Sequence, residues 1–432
     1  MPKDPTVAVL TLGCKLNQSD SAVIARRLIS GGVRVVDRPQ RGADAVVINT
    51  CSVTHVADRK ARHLVRRARR LSPNAEIILT GCYAETAPEG IRQTLGADAV
   101  LANDEKESIP DRLLARLSDR GDPAVGCASH LREGLRTRAF VKIQEGCNEL
   151  CAFCIVPYTR GREVSVPIKT VVREVQEREA DGVLEVVLTG TQLGNYGRDL
   201  GWTEQGPRAL LQALLEQTSV PRIRLSSVQA QDISEKLLSL WQDSRLCPHF
   251  HLPLQSGSDP ILGRMRRRYT ADEYRRAVDV VRSHLPDVAI TTDVIAGFPG
   301  ETDDDFERTY SLCRDIGFGA MHSFPYSRRP QTGAERMDGH LPVEVRRQRM
   351  ERLLDLGRRS SATFRERFIG RTMAVLWEEE TAGVWYGLTG NYMRVHTVTK
   401  DDIANKLTPT RLTSLDGESV IGDVEIAAVA GM

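Results

Sequence analysis

The stretch Ala45-Val-Val-Ile-Asn-Thr-Cys-Ser-Val-Thr54 decides the fold of the first part of the chain. An apolar run of strand length ends at a cysteine, and a Ser-x-Thr pair of the kind that caps helices precedes a helical segment at Val56–Arg70. Two further runs, Val7-Ala-Val-Leu-Thr11 and Glu76-Ile-Ile-Leu-Thr80, are also followed by helical segments. This alternation predicts an α/β fold, with a doubly wound domain around a parallel sheet at residues 5–117.

A second series of strand and helix patterns begins after residues 118–132, which are rich in Asp, Arg, Gly and Ser and are expected to form a linker. Six strand–helix units at residues 133–364 predict an open, partial (βα)6 TIM barrel, because a closed barrel requires eight units. A charged helix is predicted at Val343–Phe368, with a cap at Gly370. The Val- and Thr-rich residues 367–432 predict a small β-barrel. The predicted barrel strands are Ala139–Gln144, Leu184–Thr189, Arg222–Val228, His249–Gln255, Val288–Ala296 and Ala320–Tyr326.

The composition is that of a globular protein, with 41% hydrophobic and 27% charged residues among 432. No apolar run approaches the ~20 residues that a membrane helix needs. The start, Met1-Pro-Lys-Asp-Pro5, carries an acid and two prolines and does not resemble a signal peptide. We therefore expect a cytoplasmic location and no membrane partner. Nine cysteines in such a compartment favour metal or redox chemistry over disulfides, whereas the net charge of +2 gives no sign of nucleic-acid binding by itself.

Three cysteines are closely spaced in Cys147-Asn-Glu-Leu-Cys151-Ala-Phe-Cys154, directly after the first predicted barrel strand. Three thiolates cannot ligate all four irons of a cubane cluster, nor fill the four coordination positions of a zinc ion. This C-x3-C-x2-C pattern therefore suits a cubane iron–sulfur cluster with one iron left open for a ligand. The alternative is a zinc site completed by a distant ligand such as Cys247 or His251. We predict a 4Fe-4S cluster on Cys147, Cys151 and Cys154, which we name the central trio.

Cys14, Cys51 and Cys82, which we name the N-terminal trio, are distant in sequence, yet each follows a predicted strand of the first domain. The carboxyl ends of parallel strands share one edge of a sheet, so we expect these thiols to converge there. Each also precedes a predicted helix, whose dipole favours a thiolate. Unrelated buried thiols are the alternative, but the repeated placement favours a second three-cysteine cluster. The remaining cysteines, for which packing or surface roles are expected, are Cys127, Cys247 and Cys313.

The cysteines stand within longer motifs, and two further motifs follow them. These segments are Leu12-Gly-Cys-Lys-Leu-Asn-Gln18, Asn49-Thr-Cys-Ser-Val-Thr54, Thr80-Gly-Cys-Tyr-Ala-Glu85, Lys142-Ile-Gln-Glu-Gly-Cys147, Cys154-Ile-Val-Pro-Tyr-Thr-Arg-Gly161, Leu252-Pro-Leu-Gln-Ser-Gly257 and Thr292-Asp-Val-Ile-Ala-Gly-Phe-Pro-Gly-Glu-Thr302. Along nearly the whole chain they resemble the radical S-adenosylmethionine (SAM) methylthiotransferase family, and residues 367–432 resemble a TRAM domain. The resemblance implies that the central trio carries the cluster that cleaves one SAM to form a radical. It also implies that the cluster on the N-terminal trio holds the sulfur that another SAM methylates and that is transferred to the adenine carbon between the two ring nitrogens.

Within the family, Gly13-Cys-Lys-Leu-Asn-Gln18 and Val186-Val-Leu-Thr-Gly-Thr-Gln-Leu-Gly-Asn-Tyr-Gly197 most resemble the bacterial members that act on N6-threonylcarbamoyladenosine in tRNA. The resemblance implies a 2-methylthio product at position 37, with the tRNA anticodon stem-loop, an unidentified electron donor and an unidentified sulfur source as partners. Two family alternatives are isopentenyl-adenosine in tRNA and an aspartate of a ribosomal protein. A non-catalytic iron–sulfur RNA-binding protein is the alternative of another class.

The residues expected to bind SAM are assigned to the carboxyl-end face of the predicted barrel. Thr189-Gly190 ends the second strand, where glycine would let the backbone approach the SAM amino group; an ordinary turn is the alternative. Polar side chains on this face could instead satisfy hydrogen bonds inside the barrel. The residues assigned to SAM binding are Phe153, Thr189, Gly190, Ser227 and Gln255.

Two basic stretches, Arg59–Arg70 and Arg264–Arg268, are candidates for salt-sensitive contacts with tRNA phosphate. A solvated helix face is the default interpretation of such stretches. The predicted C-terminal barrel favours RNA contact, because such barrels present strands and loops to single-stranded RNA. Tyr392 and Arg394 are candidates for contact with the anticodon, with cover of the barrel core as the alternative for Tyr392.

Overall fold

The structure, a computed structural model, describes residues 5–87, 90–118, 137–202 and 206–425. Most of the region expected to form a linker, together with Cys127, lies outside these residues. The strands are β1 Thr6–Thr11, β2 Arg34–Val36, β3 Ala45–Thr50, β4 Glu76–Gly81, β5 Ala99–Val100, β6 Arg138–Lys142, β7 Gln144–Glu145, β8 Val164–Ser165, β9 Glu185–Thr189, β10 Arg222–Leu225, β11 His249–His251, β12 Ala289–Ala296, β13 Ala320–Pro325, β14 Thr372–Thr381, β15 Val384–Thr389, β16 Arg394–Thr397, β17 Leu407–Asp416 and β18 Ser419–Val424. The helices are α1 Lys15–Ser30, α2 His55–Leu71, α3 Cys82–Thr86, α4 Ile91–Leu95, α5 Ile109–Ser118, α6 Val156–Thr159, α7 Ile168–Ala180, α8 Gly206–Gln217, α9 Glu235–Leu238, α10 Asp259–Arg264, α11 Ala271–His284, α12 Asp303–Ile316 and α13 Val343–Glu366.

Strands β1–β5 form an all-parallel sheet, the N-terminal sheet, in the order β2-β1-β3-β4-β5. Successive residues of β1 point to opposite faces of the sheet. Ala8 packs on one face with Ala61 of α2, and Val7 packs on the other face with Leu28 of α1 and Leu113 of α5. Apolar residues on both faces of a parallel strand require helices on both sides. The doubly wound fold predicted from the sequence is therefore confirmed.

A second parallel array, the central barrel, contains β6, β9, β10, β11, β12 and β13. Two three-stranded sheets, β6-β9-β10 and β11-β12-β13, meet where Ile223 pairs with Leu246 and accepts a backbone hydrogen bond from Cys247 at 2.9 Å. Among the described residues β13 does not pair with β6, so the six-stranded barrel is open, as predicted. The short antiparallel pair β7–β8 flanks the central trio, with β7 before Cys147 and β8 after Cys154.

Two barrel strands end three or four residues earlier than the sequence predicted. The third ends at Leu225 instead of Val228, and the fourth at His251 instead of Gln255. The residues beyond these ends leave the regular ladder, and Gln255 adopts a φ of 65°, which a strand does not allow. The carboxyl-end loops of the barrel therefore begin earlier than the apolar pattern indicates.

The C-terminal barrel, β14–β18, is closed in the order β14-β15-β16-β18-β17, which confirms the expected small barrel. Its core is built around the fully buried Trp377, whose indole N–H donates to Thr408 Oγ1 at 2.8 Å. It is attached to the central barrel by Arg222, which donates to Leu388 O at 2.9 Å, and by Arg224, which donates to Gly390 O at 2.8 Å. Across the described residues, no helix has the length and apolar character needed to span a membrane.

Candidate functional site

The N-terminal trio lies at one edge of the N-terminal sheet. Cys14 follows β1 at the start of α1, Cys51 follows β3, and Cys82 opens α3 directly after β4. Since β1, β3 and β4 are neighbours in a parallel sheet, their carboxyl ends meet at this edge, as predicted. The predicted cap between Cys51 and α2 is also present, because the Thr54 hydroxyl accepts a hydrogen bond from Ala57 N at 3.2 Å.

The loops that carry Cys14 and Cys51 are in direct contact. Gly13 has a φ of 114°, and a Cβ atom placed on it would lie 2.6 Å from Cys51 Cβ and 3.3 Å from Cys51 Sγ. Only glycine permits both this backbone conformation and this approach. The glycine before Cys14 therefore brings two distant segments of the chain into contact.

Asn17, which the sequence analysis did not single out as a separate site residue, fastens the same two loops. Its side-chain amide donates to Leu12 O and to Thr50 O, both at 2.8 Å, and its own backbone carbonyl accepts from the Asn49 side chain at 2.9 Å. Asn17 and Asn49 are fully buried. Since buried amides need such partners, these two residues fix the spacing of the strand ends on which Cys14 and Cys51 stand.

Backbone hydrogen bonds hold the central trio. Cys147 N donates to Gly161 O at 3.1 Å, and Cys154 N donates to Cys151 O at 3.0 Å. Gly146, directly before the trio, has a φ of 71°, and a Cβ atom there would lie 1.9 Å from the Arg162 carbonyl oxygen. The tight turn into the trio thus depends on glycine, as the turn into Cys14 does.

Thiols in both trios have raised pKa values. Burial, aided by interactions with neighbouring cysteines, raises the pKa of Cys51 and of Cys147 to about 11 and that of Cys154 to about 12. Such thiols stay protonated near neutral pH unless a bound cation stabilises the thiolate. In the described chain the sulfur atoms of neither trio all lie within 4.8 Å of one another, whereas ligands of one zinc ion would be roughly 3.8 Å apart. Neither trio therefore has, in the described chain, the ligand spacing of a single bound zinc ion.

Both residues named above as a possible fourth zinc ligand have other partners. Cys247 is buried beside Arg224 and Glu185, and its carbonyl accepts a hydrogen bond from the Trp241 indole at 3.0 Å. His251 instead pairs with Asp293 at 3.2 Å. Neither side chain is engaged with the central trio. The other unassigned cysteine among the described residues, Cys313, is fully buried in the hydrophobic core and has a packing role.

An arginine contacts the central trio directly. Arg267 Nη1 donates to Cys151 Sγ at 3.3 Å, and its Nη2 donates to Gln229 Oε1 at 2.7 Å. Arg267 belongs to the stretch proposed above for tRNA phosphate, but here it points at a thiol. Arg264 and Arg268 of the same stretch are also engaged, with Pro299 O at 3.0 Å and with Glu149 at 2.9 Å. No pattern in the sequence indicates these contacts, because basic residues on a turn do not reveal their partners.

The residues assigned to SAM binding lie beside the central trio and at the carboxyl ends of β9, β10 and β11. Thr189 and Gly190 end β9, Ser227 follows β10, and Gln255 follows β11 and donates its backbone N–H to Asp293 O at 2.8 Å. Phe153, between two cysteines of the central trio, meets the Phe298 ring edge-on with centroids 6.4 Å apart. The space beside Gly190 is filled, because a Cβ atom there would lie 2.7 Å from Leu193 and 3.0 Å from Gln144 O.

Gln144 is a further residue that the sequence analysis missed. Its side-chain oxygen accepts from Thr191 N and Gln192 N, both at 2.9 Å, and its amide donates to Gly146 O at 2.9 Å. This fully buried side chain therefore joins the loop after Gly190 to the turn that leads into Cys147. One residue couples the candidate SAM loop to the cysteine loop.

Buried charges join the N-terminal sheet to the central barrel. Asp20 on α1 pairs with Lys106 at 2.7 Å, with Lys142 of β6 at 3.1 Å and with Arg160 at 3.4 Å, and Arg160 also contacts the side chains of Asn17 and Glu145. Burial alone would lower the pKa of Arg160, but its electrostatic interactions with Cys82, Asp20 and Glu145 raise it above its usual value. Arg160 follows the central trio closely in sequence, so it places both trios at one interface.

A second arginine crosses this interface near Cys51. Arg329, which follows β13 and is buried, donates to Asp58 Oδ2 at 2.8 Å and to Ser52 Oγ at 2.7 Å. Ser52 also donates to Asp58 Oδ1 at 2.8 Å. The loop that carries Cys51 is therefore fixed to the central barrel as well as to its own sheet.

The C-terminal barrel contributes one ring to the central barrel. Tyr392, with a φ of 69°, stacks on His249 with centroids 4.5 Å apart, and its ring lies 4.9 Å from the Arg224 guanidinium and 5.7 Å from Lys15 Nζ. Lys15 is the neighbour of Cys14 in sequence. Tyr392 therefore packs between the three parts of the chain, while Arg394, the other candidate for anticodon contact, is exposed.

Two families match the chain. Residues 6–102 match the family described as Uncharacterized protein family UPF0004, and residues 141–313 match the Radical SAM superfamily. The first match spans the N-terminal trio, and the second begins shortly before the central trio.

Curated relatives match over nearly their whole length. The chain is 36% identical over 394 residues to the threonylcarbamoyladenosine tRNA methylthiotransferase MtaB of Thermotoga maritima, covering 89% of this chain and 88% of that protein. It is 34% identical over 425 residues to the protein of the same name from Bacillus subtilis, covering 94% and 93%. Among solved structures, the radical SAM methyltransferase TsrM from Kitasatospora setae, with cobalamin and a [4Fe-4S] cluster bound, superposes with a TM-score of 0.54 at 14% identity and covers 77% of each chain, which shows a shared fold. The chain belongs to the radical SAM methylthiotransferase family.

Proposed function

We propose that this protein converts N6-threonylcarbamoyladenosine at position 37 of tRNA, next to the anticodon, into its 2-methylthio derivative. The observation that carries the proposal is the pair of cysteine trios on two neighbouring α/β scaffolds that buried ion pairs hold together. The relatives named for this reaction, at 34–37% identity, support the choice of nucleoside.

Each trio would hold one 4Fe-4S cluster, and SAM would bind at the open iron of the central one. When bound, these groups supply one-electron chemistry and the sulfur that is transferred. One-electron chemistry is needed because the purine C–H bond is not acidic enough for removal of its proton by a base. The chain's own residues position and enclose them. Asn17 fixes the loops of the N-terminal trio, Gln144 joins the central trio to the strand-end loops, and Arg267 donates a hydrogen bond to Cys151.

The SAM site would be lined by Phe153, Thr189, Gly190, Ser227 and Gln255. Their support is shared position: Phe153 stands between two cysteines of the central trio, and the others follow the carboxyl ends of adjacent strands in a parallel barrel. Ligands bind at that end of such barrels. The edge-on contact of Phe153 with Phe298 would exclude water from one side of the site.

The tRNA anticodon stem-loop would be bound in part by the outer face of α2. Asp58 and three alanine or valine residues of this helix are buried, whereas its opposite face is basic and exposed. Phosphate contacts from such a face need no base sequence. Three basic residues of α2, His55, Arg62 and Arg69, already have partners within the described chain. The exposed basic residues of the face are Arg59, Lys60, His63, Arg66, Arg67 and Arg70.

The reaction also requires an electron donor and a sulfur source, which would be separate partners. A tRNA substrate would place the protein in the cytoplasm.

Nucleoside mass spectrometry of tRNA from cells that lack the protein tests the proposal. We expect 2-methylthio-N6-threonylcarbamoyladenosine to disappear, to return with the wild-type chain, and to remain absent with the Cys51→Ala variant. Cys313→Ala is the matched control, because this thiol is buried away from both trios and its replacement should restore the product.

Other outcomes identify the alternatives. Loss of the 2-methylthio derivative of isopentenyl-adenosine would move the chain to that branch of the family. Unchanged tRNA nucleosides, together with tRNA binding by the cluster-loaded protein and no cleavage of SAM, would support the non-catalytic RNA-binding alternative.

A further inference from the structure

Three side chains on adjacent barrel strands form a cluster that the function proposed above does not use. His251 ends β11, Asp293 lies in β12 and His322 lies in β13. In the strand register, His251 is opposite Thr291, and Asp293 is opposite His322. Since Thr291 and Asp293 are two residues apart on one strand, their side chains leave the same face of the sheet. The register thus brings two imidazoles and a carboxylate together.

The ligand atoms of this cluster are closely spaced. His251 Nε2 lies 3.2 Å from Asp293 Oδ2, and His322 Nδ1 lies 3.3 Å from Asp293 Oδ1. One atom from each side chain can be chosen so that all three lie within 4.8 Å of one another, and within the described residues no other group of three His, Cys, Asp or Glu side chains meets this spacing. Ligands bound to one metal ion at roughly 2.0–2.2 Å would be separated by roughly 3 Å. The arrangement therefore needs little adjustment to hold an ion.

The outer partners of the cluster are of the kind that orient metal ligands. Thr291 Oγ1 lies 2.9 Å from His251 Nδ1, so the ring nitrogen facing away from Asp293 is engaged. The same hydroxyl lies 3.1 Å from His249 Nε2. Histidines that bind metals generally have such a partner on the second nitrogen, which fixes the ring orientation and the tautomer.

The charge and the access of the cluster suit a divalent ion. Burial alone would raise the pKa of Asp293, but hydrogen bonds from the two histidines lower it, so the group is a carboxylate. The His322 side chain is 55% exposed. His322 and Thr291 line a cavity of about 810 Å³ between β13, α13 and the C-terminal barrel. Water or a ligand in this cavity could complete the coordination shell.

We propose that His251, Asp293 and His322 bind one divalent first-row transition-metal ion, in a site separate from both cysteine trios. Two imidazoles and one carboxylate form a donor set typical of zinc, manganese and ferrous iron, with coordination positions left open. None of the six cysteines belongs to this site, whose His322 and Thr291 line the cavity beside the C-terminal barrel. The inference does not depend on the nucleoside proposed above.

Manganese binding to the cluster-loaded full chain tests the proposal. Iron and sulfide are quantified first, so that the cysteines are known to be occupied, and loosely bound metal is removed with a chelator. Mn²⁺ is then added, and the free ion is measured by electron paramagnetic resonance at room temperature. We expect one Mn²⁺ per chain to be bound and to be displaced by Zn²⁺, which such donor sets hold more tightly.

Three variants and one control assign the binding. His322→Ala removes a half-exposed ligand on an edge strand and should weaken binding by about tenfold or more. Thr291→Val keeps the shape of a buried side chain but removes the partner of His251, and should weaken binding by roughly 10- to 100-fold. Asp293→Asn should abolish it. His284→Ala, on the exposed end of α11, should bind as the wild type does.

Two results would overturn the proposal. One is a wild-type chain with both iron–sulfur clusters in place that leaves all Mn²⁺ free and takes up no Zn²⁺. His251, Asp293 and His322 would then form ion pairs only. The other is equal binding by the wild type and His322→Ala. Cleavage of SAM and tRNA methylthiolation are measured separately, so either result leaves the proposed function standing.

Discussion

The two cysteine trios are built in different ways. The central trio is a local motif within eight residues, and backbone hydrogen bonds shape its loop. The N-terminal trio gathers residues that span positions 14 to 82, and only the order of β1, β3 and β4 brings them together. A local motif depends on one loop, whereas a dispersed one depends on a whole sheet. Two sets of three cysteines can therefore depend on different amounts of surrounding structure, one on a single loop and the other on the order of three strands.

Replacing one cysteine in each trio should separate their roles completely. We expect Cys151→Ala to abolish cleavage of SAM and to lower iron from about eight to about four per chain, because only the central cluster is lost. Cys51→Ala should also leave about four irons per chain, but it should keep the cleavage of SAM to deoxyadenosine while methylthiolation disappears. Iron analysis and product chromatography measure both. Loss of all iron in either variant would contradict the independence of the two trios.

Adding a methyl group to the glycine before each trio should disturb the central one more. Gly146→Ala places Cβ 1.9 Å from a carbonyl oxygen, whereas Gly13→Ala meets the Cys51 side chain at 2.6 Å. We expect both to lower Tm and iron content. Gly182→Ala is the control, since its φ of 83° is also positive but nothing lies within 4 Å, so only the backbone strain of roughly 1–2 kcal/mol remains. A Tm for Gly146→Ala equal to that of the control would contradict the close approach.

Removing the arginine at Cys151 should change only the central cluster. Arg267→Gln takes a charged donor away from a ligand sulfur, which destabilises the more negative, reduced cluster. We expect its midpoint potential to fall by on the order of tens of millivolts in a redox titration followed by electron paramagnetic resonance. Arg268→Gln removes an equal charge from the same stretch, but Arg268 pairs with Glu149 rather than with a cysteine, so this variant should shift the potential less than Arg267→Gln does. An unchanged potential in Arg267→Gln would show that this contact does not tune the cluster.

The smallest effect is expected from the basic face of α2. Arg66→Ala with Arg67→Ala should weaken tRNA binding several-fold and reduce the slope of log affinity against log salt by about 2, because two phosphates would no longer be neutralised. Arg268→Ala is the comparison from the central region, where the basic stretch is engaged with the cysteine loop. Filter binding at several salt concentrations measures both. An equal reduction of affinity in the two variants would remove the distinction between the two basic stretches.

The sequence was sufficient for the layers of the fold and for the position of both trios. Strand periodicity and the shared edge of parallel strands placed Cys14, Cys51 and Cys82 together without any local motif. The layers of the fold and the position of the cysteines at strand ends follow from the path of the backbone, and the pattern of apolar residues predicts that path. The predicted ends of β10 and β11 were wrong by several residues, because the polar loops that follow the strands have no periodic pattern of apolar residues.

The contacts that fasten the site could not be predicted in the same way. Asn17, Gln144 and Arg267 act through single side chains that reach residues far away in sequence, and their types are equally common in solvated loops. Tyr392 was considered for the anticodon or for the core of its own barrel, yet its ring packs against His249 of the central barrel. Such contacts depend on how the N-terminal sheet, the central barrel and the C-terminal barrel pack against one another, and the spacing of residues in the sequence does not predict that packing.

Arg160 and Arg329 form buried ion pairs across the interface between the N-terminal sheet and the central barrel. A hinge movement that parted these two bodies would have to break the buried pair of Arg160 with Asp20 and that of Arg329 with Asp58. The two pairs therefore favour one arrangement of the trios over an arrangement in which the two bodies have parted. In such an arrangement, bending of the RNA or eversion of the base would bring the nucleoside to the trios, and the ease of that deformation would contribute to substrate selection.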